Sequence, residues 1–143
     1  MLKRKANAIW EGDLKSGKGA LSVESGLFTG KYSFGSRFEE EKGTNPEELI
    51  GAALAGCFSM ALSGDLARAG YKADEIRTEA TVSLEKGEGG FEITKIVLVT
   101  KAIVPEISME EFAELASGAK KNCPVSKALQ AVDIQLQAHL KKG

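Results

Sequence analysis

The chain is poor in the residues that build metal sites and disulfide scaffolds. It has one histidine, His139, and two cysteines, Cys57 and Cys123, set far apart. With no second imidazole and no close cysteine pair, zinc and iron centres are not expected. A Ser-His-Asp hydrolase is not suggested either, and two cysteines are too few to staple a small secreted module. Charge of one sign is also missing. Lys plus Arg number 19 against 20 Asp plus Glu, a net charge of −1, which argues against a basic nucleic-acid-binding surface. The longest uncharged run, Leu49 to Gly64, falls short of the about 20 residues a membrane span needs. Met1 to Trp10 carries the charges of a signal peptide without its continuous apolar stretch or cleavage site. These absences describe a cytoplasmic protein with reduced thiols, no metal, no nucleic acid and no membrane partner.

What is present is a chain of 143 residues, 43% hydrophobic and 27% charged, enough for one folded domain spanning residues 1–143. Up to Phe34 it is glycine-punctuated, with short β-type runs at Ala20–Glu24 and Lys31–Phe34. A long helix is predicted next. Asn45 offers an N-cap, Pro46 the first helical position, Glu47 and Glu48 negative charge at the positive end, and Gly70 a stop after Ala69. Its apolar residues run almost all round, which implies burial on most sides. Residues Ile76 to Leu84 alternate as a half-buried strand, and a glycine-rich turn leads into Phe91–Val104, apolar on both faces at its middle. Ser108 and Glu111 form a capping-box pattern ahead of the stripe Phe112, Leu115, Ala116, Ala119. The Cys123-Pro124 step breaks that helix, a short helix from Pro124 to Leu129 follows, and Asp133 to Leu140 alternates as a last strand. The expected class is α+β, an antiparallel sheet packed around a long buried central helix.

Taken one at a time, the reactive side chains read blandly. A free cysteine is often only a packing residue, and Cys57 sits in the middle of an apolar helix. The run Ser36 to Lys42 reads as a solvated charged turn, Lys120 and Lys121 as a helix C-terminus complementing its dipole, His139 as a solvent-facing strand residue, and Trp10 as a packing anchor.

Two motifs change that balance. Gly43-Thr44-Asn45-Pro46-Glu47-Glu48-Leu49-Ile50-Gly51-Ala52-Ala53, continued by Ala55-Gly56-Cys57-Phe58-Ser59-Met60-Ala61, resembles the first motif of the OsmC/Ohr family, and Cys123-Pro124-Val125-Ser126 resembles the second. Trp10–Lys15 and Arg37-Phe38-Glu39 are closer to the OsmC branch. Gly56 stands where the family more often has alanine. The resemblance implies a cysteine peroxidase for organic hydroperoxides, using hydrogen peroxide less well, in oxidative or osmotic stress defence. By position, Cys57 would be the peroxidatic thiolate, Cys123 the resolving cysteine, and Arg37 with Glu47 the polar pair that activates the site. The family implies no bound cofactor and an external dithiol, a lipoylated protein or small thiol, as reductant. Leu54, Phe58 and Met60 are candidates for an apolar lining. Two other readings remain at this stage: a dimeric module binding a small apolar ligand, and a redox sensor without multiple turnover.

Spacing adds a constraint. Ten residues of straight helix separate Glu47 from Cys57 by about 15 Å along the axis, so the two cannot touch within one straight helix. Either the chain folds back before Cys57, or Arg37 and Glu47 come from a second subunit. The family resembles an intertwined homodimer with active sites at the subunit interface, and a small-residue helix face suits such an interface.

Overall fold

The computed structural model describes residues 1–141. By its internal contacts the described chain divides into two compact units, residues 1–49 and residues from 50 onward.

The first unit is a three-stranded antiparallel meander of β1 (Ala6–Glu11), β2 (Lys18–Val23) and β3 (Thr29–Tyr32), with β2 in the middle. Strand β2 matches the first predicted run, whereas β3 keeps only Lys31 and Tyr32 of the second, whose Ser33 and Phe34 instead open a helix. Strand β1 is additional: its six residues are all exposed, so it has no alternating buried face for a sequence pattern to register. A short helix α1 (Phe34–Phe38) occupies part of the predicted charged turn. It is closed by a capping box in which Ser33 and Ser36 exchange side-chain and backbone hydrogen bonds.

Helix α2 (Pro46–Arg68) begins in the first unit. Asn45 caps it as expected, its side-chain oxygen accepting from the Glu48 N–H at 2.8 Å. Gly70, at φ +95°, takes the left-handed position just beyond the helix end. By length and composition α2 would suffice to cross a membrane, because it extends past the uncharged run at both ends. Glu47 and Glu48 bracket the apolar stretch on one side, Asp65 and Arg68 on the other.

In the second unit, β4 (Glu75–Gly87), β5 (Gly90–Ile103) and β6 (Asp133–Lys141) form a sheet with β5 central. That position explains why Ile96 and Leu98 are fully buried on one face while Val97 and Val99 are half-buried on the other. Helices α3 (Met109–Asn122) and α4 (Pro124–Ala128) connect β5 to β6. Ser108 caps α3 by accepting from the Glu111 N–H at 3.1 Å. The other half of the expected capping box is absent, because the Glu111 carboxylate accepts from the Tyr71 hydroxyl instead.

The mixed α+β class is observed, with two refinements. There are two three-stranded sheets, and β6 runs parallel to β5, Ile96 opposite Ile134 through Ile103 opposite Lys141. Helix α2 is buried along only one stripe. Leu54, Phe58, Leu62 and Leu66 lie in the core with Ile96, Leu98, Phe112 and Ala116. Ala52, Ala53, Gly56, Met60, Ser63 and Ala67 form an exposed stripe at i, i+4 and i+3 spacing. Apolar residues all round the helix therefore leave a surface that its own chain does not cover.

Candidate active site

Each unit brings together one pair of the residues singled out by sequence. In the first, Arg37 closes α1 and Glu47 opens α2. The Arg37 Nε–H donates to Glu47 Oε1 at 2.7 Å. Glu47 is buried and the guanidinium half-exposed. The surrounding backbone is held by polar ties: Ser36 Oγ donates to the Thr44 carbonyl at 2.8 Å, Asn45 Nδ2 to the Ser36 carbonyl at 3.2 Å, and Thr44 Oγ1 to Glu48 Oε1 at 2.7 Å. A carboxylate that accepts Nε fixes the plane of the guanidinium and leaves its terminal nitrogens as donors.

Those nitrogens belong to a group that lines a cavity of 260 Å³ with Trp10, Leu14, Tyr32, Ser33, Phe34 and Phe38. The cavity is aromatic for a reason of register. Gly19 on β2 pairs with Trp10 on β1 and with Tyr32 on β3. A Cβ at Gly19 would stand 2.4 Å from the Tyr32 ring and 2.7 Å from the Trp10 ring. With glycine there, the two rings meet at 5.4 Å between centroids. On the other side Phe34 and Phe38 pack at 5.1 Å, and the Arg37 guanidinium lies 5.1 Å from the centre of the Phe38 ring. Trp10 is exposed, not a buried anchor; its ring packs on Tyr32 and walls the cavity, a role the sequence did not disclose.

In the second unit, α2 presents Cys57 and the α3–α4 junction presents Cys123. Both are free thiols, Cys57 half-buried and Cys123 buried. They line a 410 Å³ cavity with Met60, Ala61, Gly64, Asp65, Arg68, Asn122 and Pro124. The Cys57 thiol is pushed above its ordinary pKa, chiefly by burial. The Val125 backbone N–H pulls it down, and hydrogen bonding and charge repulsion from Cys123 push it up again. Cys57 and Cys123 thus line one cavity, and Cys123 affects the ionisation of Cys57. Arg68, on the wall of this cavity, forms an ion pair with Asp65.

Of the three candidate lining residues, only Met60 lines this cavity. Leu54 and Phe58 belong to the core, fully buried, because they fall on the opposite stripe of α2. At Gly56 a Cβ would meet no atom within 4 Å, so glycine in place of alanine leaves the packing around Cys57 within the chain unchanged. Among the described residues no cluster of His, Cys, Asp or Glu has the arrangement of a metal site.

Comparison with known proteins agrees with the motif reading. A family described as OsmC-like protein matches residues 39–137. The chain is 52% identical over 141 residues to Peroxiredoxin OsmC of Escherichia coli, covering 98% of each chain. It is 34% identical over 102 residues to the organic hydroperoxide resistance protein OhrB of Bacillus subtilis, covering 69% of this chain and 72% of that one. The crystal structure of the B. subtilis OhrB superposes with a TM-score of 0.72 at 27% identity, over 96% of this chain and 98% of that one. The chain belongs to the OsmC-like family.

Proposed function

We propose that the protein is a thiol peroxidase that reduces organic hydroperoxides to alcohols, with Cys57 as the attacking thiolate and Cys123 as the resolving thiol. The observation that carries this reading is the pair of free thiols lining one cavity. The Cys57 thiolate attacks the distal peroxide oxygen, the O–O bond breaks, and the alkoxide leaves to be protonated to the alcohol. Cys57 is left as a sulfenic acid. Cys123 converts it to the Cys57–Cys123 disulfide with release of water, ahead of irreversible oxidation. An external dithiol, a small thiol or a lipoylated protein, returns both cysteines to the reduced state. No step calls for a bound metal or cofactor.

Burial makes Cys57 a weaker acid than a free thiol, so the chemistry needs a cation, and the Glu47-anchored Arg37 is suited to that role. Its terminal nitrogens would stabilise both the thiolate and the departing alkoxide. The aromatic cavity that Arg37 lines would take the organic part of the peroxide. Both units act as one functional domain in this reading. The exposed stripe of α2 supports a homodimer, in which a second copy covers that stripe and supplies Arg37 and Glu47 to each Cys57. The sites then lie at the subunit interface, in a cytoplasmic enzyme of oxidative or osmotic stress defence.

The test is multiple-turnover reduction of cumene hydroperoxide with excess dithiol. Wild type should turn over, Cys57→Ser should be inactive, and Cys123→Ser should lose activity through over-oxidation of Cys57. Turnover of Cys57→Ser at the wild-type rate would refute the assignment.

A further inference from the structure

Cys123, which shares a cavity with Cys57, has a hydrogen-bond partner in α4. It is the N-cap of α4, a position ordinarily filled by serine, threonine, aspartate or asparagine. The Ser126 N–H donates to Cys123 Sγ at 3.4 Å, and the Cys123 thiol donates to Ser126 Oγ at 3.0 Å. Both side chains are buried, Cys123 1% and Ser126 6% exposed. The backbone of Cys123 is extended, at φ −65° and ψ 140°, as a residue before proline prefers. The sulfur is therefore held through its backbone by Pro124 and through its own atoms by Ser126.

We propose that Ser126 is a positioning residue for disulfide closure. By engaging the Cys123 proton, its hydroxyl leaves a sulfur lone pair, in place of a hydrogen, to face Cys57. This inference rests on the peroxidase reading above. In the closing step the Cys123 sulfur attacks the sulfenic sulfur of Cys57. The S–S bond forms as the S–O bond breaks, and the departing hydroxide takes up the Cys123 proton to leave as water. The sulfenic acid supplies the oxidising equivalents, so no other oxidant enters. When a dithiol later reopens the disulfide and Cys123 departs as thiolate, the same hydroxyl can turn and donate to it beside the Ser126 N–H. A hydroxyl can accept in one state and donate in the other; a methyl group can do neither.

Ser126→Ala tests this cleanly because it keeps the backbone N–H and with it the cap of α4. Rapid-quench mass spectrometry separates the steps. Cys57 oxidation by cumene hydroperoxide should proceed in Ser126→Ala within about twofold of wild type. Closure should slow about tenfold, roughly the most that one ordinary hydrogen bond supplies. Doubly oxygenated Cys57 should then accumulate at peroxide levels where wild type stops at the disulfide. Ser126→Thr, which returns the hydroxyl, should restore closure, and thermal melting of each variant reports that the fold is kept. Closure of Ser126→Ala at the wild-type rate, or equal slowing in the Ala and Thr variants, would overturn the role of Ser126 and leave the peroxidase reading standing. A wild-type protein whose Cys57 ignores the peroxide would overturn both.

Discussion

Replacing Arg37 should convert a thiolate enzyme into a thiol one, and the structure sets the scale of the loss. An unperturbed thiol with pKa about 8.5 is only about 3% ionised at pH 7. Burial moves Cys57 to the less ionised side of that value, with only the Val125 N–H acting in the other direction. If Arg37 is what ionises Cys57, Arg37→Met forfeits a factor of at least about thirty in nucleophile at neutral pH. Removing a donor aimed at the departing oxygen costs a further factor on the order of 100. The sign of the pH dependence separates the two losses. A thiol whose pKa is raised reaches its thiolate form only at higher pH, so the alkylation rate of Arg37→Met should keep climbing at pH values where wild type has already levelled off. The donor loss, by contrast, persists at every pH. The measurement is the rate of iodoacetamide alkylation of Cys57 from pH 5 to 10 in a Cys123→Ser background, alongside cumene hydroperoxide consumption. Glu47→Gln keeps the cation and an oxygen that can accept from its Nε but removes the charge that strengthens that bond, so its alkylation profile should fall between the other two. If Arg37→Met and wild type give superimposable profiles, Arg37 does not activate Cys57 and the argument fails.

Four other substitutions probe three separate parts of the protein. Trp10→Ala and Tyr32→Ala each open the aromatic cavity beside Arg37, and should raise the KM for cumene hydroperoxide about tenfold while changing that for tert-butyl hydroperoxide much less; equal effects on both peroxides would remove the cavity from substrate recognition. Ala53→Glu places a charge on the exposed stripe of α2 and should give a folded monomer by sedimentation, with peroxidase activity lost; an active dimer would show that the stripe is not the interface. Thr100→Val removes a fully buried hydroxyl that donates to the Arg77 carbonyl at 3.2 Å and lies 3.0 Å from Thr78 Oγ1, itself 2.7 Å from Ser59 Oγ; urea unfolding should show a loss of about 1–3 kcal/mol, and an unchanged midpoint would contradict it.

The parts of the fold legible in the sequence were those with a repeating pattern or a chemical stop. Helix α2 could be bounded by Asn45, Pro46 and Gly70, and β6 by an alternation in which Ile134, Leu136, Ala138 and Leu140 turn inward. Strand β1 lacks such a pattern and is recruited by pairing with β2. The parallel orientation of β6 was within reach: a connection through two helices returns a chain to the starting end of a sheet, whereas a hairpin reverses it. The site divides in the same way. Cys57, Cys123, Arg37 and Glu47 were found by motif, since no periodicity links a short loop helix to the start of the next helix. The aromatic cavity could not be found that way. Trp10, Gly19 and Tyr32 lie on three strands, and only the register across β2 brings the two rings together over a glycine.

A second copy of the chain would account for two features together. The exposed stripe of α2 is built from Ala52, Ala53, Gly56, Met60, Ser63 and Ala67, with no charged residue to favour water. Small side chains there would let another backbone approach closely, and Met60, 79% exposed, is both part of that stripe and part of the wall of the cysteine cavity. Any partner covering the stripe must therefore also close over the thiols. Closing it excludes water, which strengthens every charge interaction inside and raises the cost of ionising Cys57 unless a cation arrives with the cover. A second copy carrying its own Glu47-anchored Arg37 would meet both needs at once. A covering partner without such a cation would shield the stripe and leave the thiol less reactive than before. Dimer formation and thiol activation should accordingly be lost together in Ala53→Glu, while Arg37→Met should lose activation and remain a dimer.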